Sequence, residues 1–114
     1  MTASQNPVVK LKRPVDFEIL EALSDGQRDV GVNVAQRLDR NRSYINTRLP
    51  QLKDYELLDR VGPSERSGLY EITPKGVAAL RLQDQYEQDE FVDLVDERAK
   101  GIDIKPPQII EDAD

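Results

Sequence analysis

A loop of turn residues, Gly62-Pro63-Ser64-Glu65-Arg66-Ser67-Gly68, separates two short strand-like runs, Leu57-Leu58-Asp59-Arg60-Val61 and Leu69-Tyr70-Glu71-Ile72. Two such runs joined by a glycine-bounded loop read as a β-hairpin. The chain before it keeps a different period. Ile45, Leu49 and Leu52 stand at i, i+4 and i+7, the buried stripe of a helix over about Arg42–Tyr55. A helix that runs directly into a hairpin, in a chain of 114 residues, fits one small domain with a single modest core. The expected fold class is mainly α with a small β-hairpin, an α+β domain.

The other elements follow from punctuation. A first helix starts near Pro14, where proline suits a first turn. It carries Phe17, Ile19, Leu20 and Leu23 inward and stops at Asp25-Gly26. Gln27–Val30 is extended. A second helix spans about Val32–Leu38 with Val34, Ala35 and Leu38 inward. Asp39-Arg40-Asn41 is a tight turn, and Asn41 is a good N-cap for the third helix. Pro50 lies inside that third helix. It lacks an N–H and crowds the carbonyl of Asn46, at a cost of about 3 kcal/mol, so a kink or a break is expected there. Thr73 and Pro74 are suited to cap and open a further helix. That helix is long or double: Val77 and Leu80 mark its first half, residues 87–90 interrupt the pattern, and Phe91, Leu94, Val95 and Ala99 resume it.

Four segments result. Residues 1–13 read as a polar arm with a basic cluster (Lys10, Lys12, Arg13), either following a DNA groove or disordered. Residues 14–80 form the domain, residues 81–101 a C-terminal helix, and residues 102–114, with Pro106-Pro107, an acidic tail.

Composition removes several function classes. There is no Cys and no His, so thiol nucleophiles, thiolate metal sites and imidazole bases are excluded. No glycine-rich phosphate loop follows a strand, and no carboxylates show metal-binding spacing. No enzyme activity, cofactor, metal or small-molecule effector is expected. No apolar run approaches the ~18 residues of a membrane span, and Met1–Arg13 lacks the apolar core of a signal peptide. A cytoplasmic location is expected.

Charge is uneven. The net charge is −6, yet residues 36–68 carry seven basic and five acidic side chains. A positive middle third on an acidic chain suits a local anionic partner. Arg outnumbers Lys ten to six and Asp outnumbers Glu thirteen to nine, a balance common in proteins of salt-saturated cytoplasm.

Helix, short strand, helix, turn, helix and hairpin is the order of a winged helix-turn-helix. Such a domain presents its third helix to a major groove roughly 12 Å wide. On the outer face of that helix, Ser43, Asn46, Thr47 and Gln51 are candidates to touch DNA, the first three by hydrogen bonds to base edges. Tyr44 lies at the rim, for phosphate or for packing on the second helix. Arg42 and Arg48 flank the face as phosphate clamps, unless Arg48 pairs with an acid of the body. Arg66, beside Ser67 at the loop tip, either enters a narrow minor groove or stays solvated. Lys53 and Arg60 are further phosphate candidates.

Ile19-Leu20-Glu21-Ala22-Leu23, Asp39-Arg40-Asn41-Arg42-Ser43-Tyr44 and the run from Val61 to Tyr70 resemble haloarchaeal winged-helix proteins similar to the repressor of a halobacterial phage. The resemblance covers roughly residues 15–80. Its most specific pieces are GPSERSGLYEIT and the preceding helix pair. It implies a small DNA-binding transcriptional regulator of the repressor type. Two positions depart from the pattern: Pro50 replaces a helix-compatible residue, and Glu56 stands where a glycine turn is expected.

The C-terminal stripe has no evident place in a core closed near Leu80. Leu82, Tyr86, Phe91, Leu94 and Val95 are therefore expected to pack on a second copy in a homodimer, the other possibility being the chain's own first helix. Two copies would bring two third helices to half-sites one turn of double-stranded DNA apart. A rival function is a winged-helix protein-interaction module in transcription or replication machinery, which would expose apolar residues on the third helix.

Overall fold

The computed structural model describes residues 10–61, 68–105 and 108–111. The chain is α+β. In order come α1 (Val15–Ala22), β1 (Asp29–Val30), α2 (Gly31–Leu38), α3 (Arg42–Asp54), β2 (Leu58–Val61), β3 (Leu69–Ile72), α4 (Pro74–Arg81), a 3-10 turn (Gln83–Gln85), α5 (Phe91–Ala99), β4 (Ile102–Lys105) and β5 (Gln108–Glu111).

The caps follow the local sequence. The Asn41 side chain accepts from the Tyr44 N–H at 3.0 Å and starts α3, satisfying one of its free donors. Thr73 accepts from the Gly76 N–H at 3.0 Å and starts α4. Its hydroxyl also donates to the Glu56 carbonyl at 2.7 Å. Asp39 ends α2 in the left-handed region, φ 54°. The α2–α3 turn is thus built as the sequence requires. Helix α3 runs without a break through Pro50 to Asp54, so of the kink or break expected there, the break does not occur.

Strand β3 is central. It pairs antiparallel with β1 (Asp29↔Tyr70, Val30↔Leu69) and with β2 (Leu58↔Ile72 to Val61↔Leu69). The order β1-β3-β2 ties the hairpin to the segment that opens α2. The core lies between this sheet and α1–α4: Ile19, Leu20, Leu23, Val34, Ile45, Leu49, Leu52, Leu58 and Val77 are all but fully buried.

Three expectations about the chain's ends are corrected. Leu82, Phe91 and Val95 are buried in the chain's own core, and Leu94 and Tyr86 pack against that core. The stripe does have a place there, because α5 folds back on α4. Tyr86 meets Phe17 and Phe91 edge to face, with centroids 5.9 and 5.2 Å apart. Within the expected acidic tail, residues 102–105 and 108–111 pair as an antiparallel hairpin, with Ile102 buried. Finally, residues 10–13 of the expected arm are docked. Leu11 is buried, its N–H donates to the Tyr86 hydroxyl at 2.7 Å, and Arg13 covers the Tyr86 ring at 5.3 Å.

Candidate nucleic-acid interface

Helix α3 has two unlike sides. Ile45, Arg48, Leu49 and Leu52 are buried, whereas Arg42, Ser43, Tyr44, Asn46 and Thr47 are exposed and Gln51 is half-buried. The 3.6-residue period fixes this division: the apolar positions bind the core and the polar ones are left to solvent. The Thr47 hydroxyl donates to the Ser43 carbonyl at 3.0 Å, which sets its rotamer and still leaves its oxygen free to accept. Tyr44, 40% exposed, is the one large apolar side chain among the described residues that stands out in solvent.

Arg48 is not on this face. Its Nε and Nη2 donate to the two carboxylate oxygens of Asp16 at 2.9 and 2.8 Å. Asp16 is fully buried and also accepts from the Lys12 N–H at 2.7 Å. The hydrogen bonds that Arg48 donates to Asp16 raise the guanidinium pKa above its ordinary value, against desolvation. Arg48 is therefore withdrawn as a phosphate clamp and serves to anchor α3 to α1. The sequence carries no signal that names Asp16 as its partner.

Other arginines of the basic middle third are also committed. Arg40 pairs with Glu18 at 2.6 Å. This contact raises the Arg40 pKa and holds the Glu18 carboxyl below its usual range. Arg37 bridges Asp29 and the Ala22 carbonyl. Outside that segment, Arg28 pairs with Glu71. Among the described residues, Arg42, Lys53 and Arg60 make no ion pair. Arg66 and Ser67 lie outside the described residues.

The sheet places the base of the hairpin beside α3. Arg42, Asn46 and Leu49 line a cleft with Val30, Gly31 and Val32 at the start of α2 and with Gly68 and Tyr70 of the hairpin. The Arg42 guanidinium, which among the described residues makes no ion pair, and the Asn46 amide can hydrogen-bond an anionic or polar edge entering from solvent. Among the described residues that line the cleft, none is a nucleophile with a base beside it. Among the described residues no cluster of acids is arranged to hold a metal ion, and no helix is long and apolar enough to cross a membrane. Compared with family models, curated proteins and solved structures, the chain significantly matches none of them.

Proposed function

We propose that the chain is a winged helix-turn-helix regulator of transcription that binds double-stranded DNA in a sequence-dependent way and represses. In this reading α2, the Asp39–Asn41 turn and α3 are the helix-turn-helix, and the β2–β3 hairpin is the wing. The observation that carries it is the outer face of α3, where Arg42, Ser43, Asn46 and Thr47 stand exposed, with Arg42 and Asn46 also lining the cleft at the hairpin base. Short polar side chains on one helix face suit hydrogen bonding to base edges, and the Thr47 methyl suits contact with a thymine methyl. Arg42, Lys53 and Arg60 suit phosphates.

The acidic total does not oppose this. At molar salt the screening length falls to ~3 Å, so distant carboxylates act little on phosphates. Close hydrogen bonds and shape then carry more of the binding. A homodimer on paired half-sites belongs to the proposal, with a contact surface other than the internal faces of Leu82, Phe91 and Val95.

The test is recovery and sequencing of genomic DNA fragments bound by the full chain in molar KCl. Enrichment of a few palindromic sites, lost in a Ser43→Ala/Thr47→Ala double variant, is the expected result. Background levels only would turn the reading toward a protein partner for the same face.

A further inference from the structure

Gly31 begins α2 and is buried. Its backbone does not require glycine: the glycines with positive φ among the described residues are Gly26 and Gly68. An alanine would favour the helix, since glycine lowers helix stability. Space is what excludes a side chain. A Cβ placed on Gly31 would overlap the Asn46 side-chain oxygen, and it would come within 3.1 Å of Leu49 Cδ1 and 3.3 Å of Asn46 Cγ. Leu49 is core and 1% exposed, so it has little room to move. The Asn46 carboxamide, by contrast, sits at the end of a short side chain on the exposed face of α3.

We infer that Gly31 is a positioning residue for DNA sequence reading: by lacking a side chain it gives the Asn46 carboxamide a seat against the start of α2 and so sets which base edge Asn46 meets. The inference rests on the DNA-binding proposal and deepens it. With the carboxamide oxygen turned to the start of α2, the amide NH2 is the group left to donate to a base-edge acceptor, and which acceptor it meets depends on the orientation of the amide plane. A carboxamide supported from behind by a helix backbone keeps one orientation. One pushed off by a methyl group takes another rotamer and meets a different atom or none. Gly31 touches no base in this scheme and acts through Asn46.

The experiment is selection of bound duplexes from a random pool by the full chain, for wild type, Gly31→Ala, Asn46→Ala and the double variant. The Asn46 side-chain NH2 resonances of wild type and Gly31→Ala are compared by NMR. The expected result is that Gly31→Ala weakens the preference at one base position by roughly tenfold. Asn46→Ala should weaken the same position, the double variant should be no worse than Asn46→Ala alone, and the Asn46 resonances should shift. A Ser43→Ala control should alter a different position.

A Gly31→Ala motif identical to wild type, with Asn46→Ala changed, overturns the inference and leaves DNA reading intact. A wild type that selects no motif overturns both. If Gly31→Ala folds poorly, the double variant decides, because removing the carboxamide makes room for the methyl. Base preferences in the double variant that differ from those of Asn46→Ala at other positions also overturn the inference.

Discussion

Arg48 of α3 and Asp16 of α1 form a two-pronged ion pair inside the domain, with both contacts below 3.0 Å and Asp16 wholly removed from solvent. The pair fixes the angle at which α3 leaves the body, and with it the direction in which Ser43, Asn46 and Thr47 face. Breaking a buried pair from one side leaves an uncompensated charge, which costs about 3 to 5 kcal/mol. Asp16→Ala should therefore lower unfolding stability by about that much in denaturant titrations. Replacing both partners by apolar residues, Asp16→Leu with Arg48→Met, should recover most of the loss. A single variant within about 0.5 kcal/mol of wild type would show the pair to be dispensable.

Glu56 and Gly76 present opposite backbone demands a few ångströms apart. Glu56 is held at φ 67°, a region that costs a residue with a Cβ roughly 1 kcal/mol or more. Gly76 lies in α4, where a Cβ would overlap the Leu57 carbonyl oxygen and sit 2.6 Å from Ile72 Cγ1. A backbone carbonyl cannot step aside as a side chain can. Gly76→Ala should thus destabilise by about 1 to 3 kcal/mol, as overpacking does, in spite of the better helix former. Glu56→Gly should be neutral or stabilising by up to about 1 kcal/mol, the strain relief being offset in part by losing the contact with Lys75. Thermal melts of the two variants should move in opposite directions or, for Glu56→Gly, not at all.

Acid should weaken the fold through two surface carboxylates. Arg40 hydrogen-bonds Glu18, and Lys75 hydrogen-bonds Glu56, and each contact lowers the carboxyl pKa below its ordinary 4.5. A carboxylate with a depressed folded-state pKa binds protons more weakly folded than unfolded. Its stabilisation is therefore complete above the unfolded value and is lost as pH falls from about 4.5 through the folded value. Both pairs are at least partly exposed, so the effect is small and shrinks with salt. Melting temperatures measured between pH 7 and 3 at low salt should drop below pH 4.5. The drop should be smaller in Glu18→Gln and smaller again in molar KCl; an equal drop in all three would assign it to other groups.

The period of Ile45, Leu49 and Leu52 made α3 legible, and turn residues made the hairpin legible, because both signals are local. Arg48 is legible only as two alternatives, a phosphate clamp or a partner for an acid of the body. A charged residue three positions after Ile45 looks like a flanking cation unless its partner is known, and that partner lies 32 residues away. The C-terminal stripe failed for a related reason. Periodicity shows that Phe91 and Val95 must be covered, and it is silent on whether the same chain or a second one covers them. Ile102 and Ile104 alternate as a strand would, but two positions are too short a signal beside Pro106-Pro107 and the acids beyond them.

Because Phe91 is internal, its truncation should act on folding. It is 4% exposed and meets Tyr86 edge to face. Phe91→Ala should cost about 3 to 5 kcal/mol, and that loss should be independent of protein concentration. Sedimentation of wild type and variant under conditions where both remain folded should give the same association state. A variant that keeps wild-type stability and dissociates a dimer would restore α5 as the contact between copies.

Affinity for DNA should fall gently with salt. Most arginines near α3 spend their charge within the protein: Arg37 on Asp29, Arg40 on Glu18 and Arg48 on Asp16. Arg42, Lys53 and Arg60 remain among the described residues, and Arg66, a further cation of the sequence, lies outside them. Each phosphate neutralised contributes about 0.9 to the slope of log affinity against log salt. Three or four contacts per subunit therefore give a slope of about −3 to −4 per subunit. Arg42→Ala should flatten it by about one, whereas Arg40→Gln should leave it unchanged, because that guanidinium is occupied by Glu18. Fluorescence anisotropy with a selected duplex across a KCl series measures both. A slope steeper than about −6 per subunit would mean that ion pairs such as Arg40–Glu18 open to receive phosphates, and Arg40→Gln would then flatten it as well.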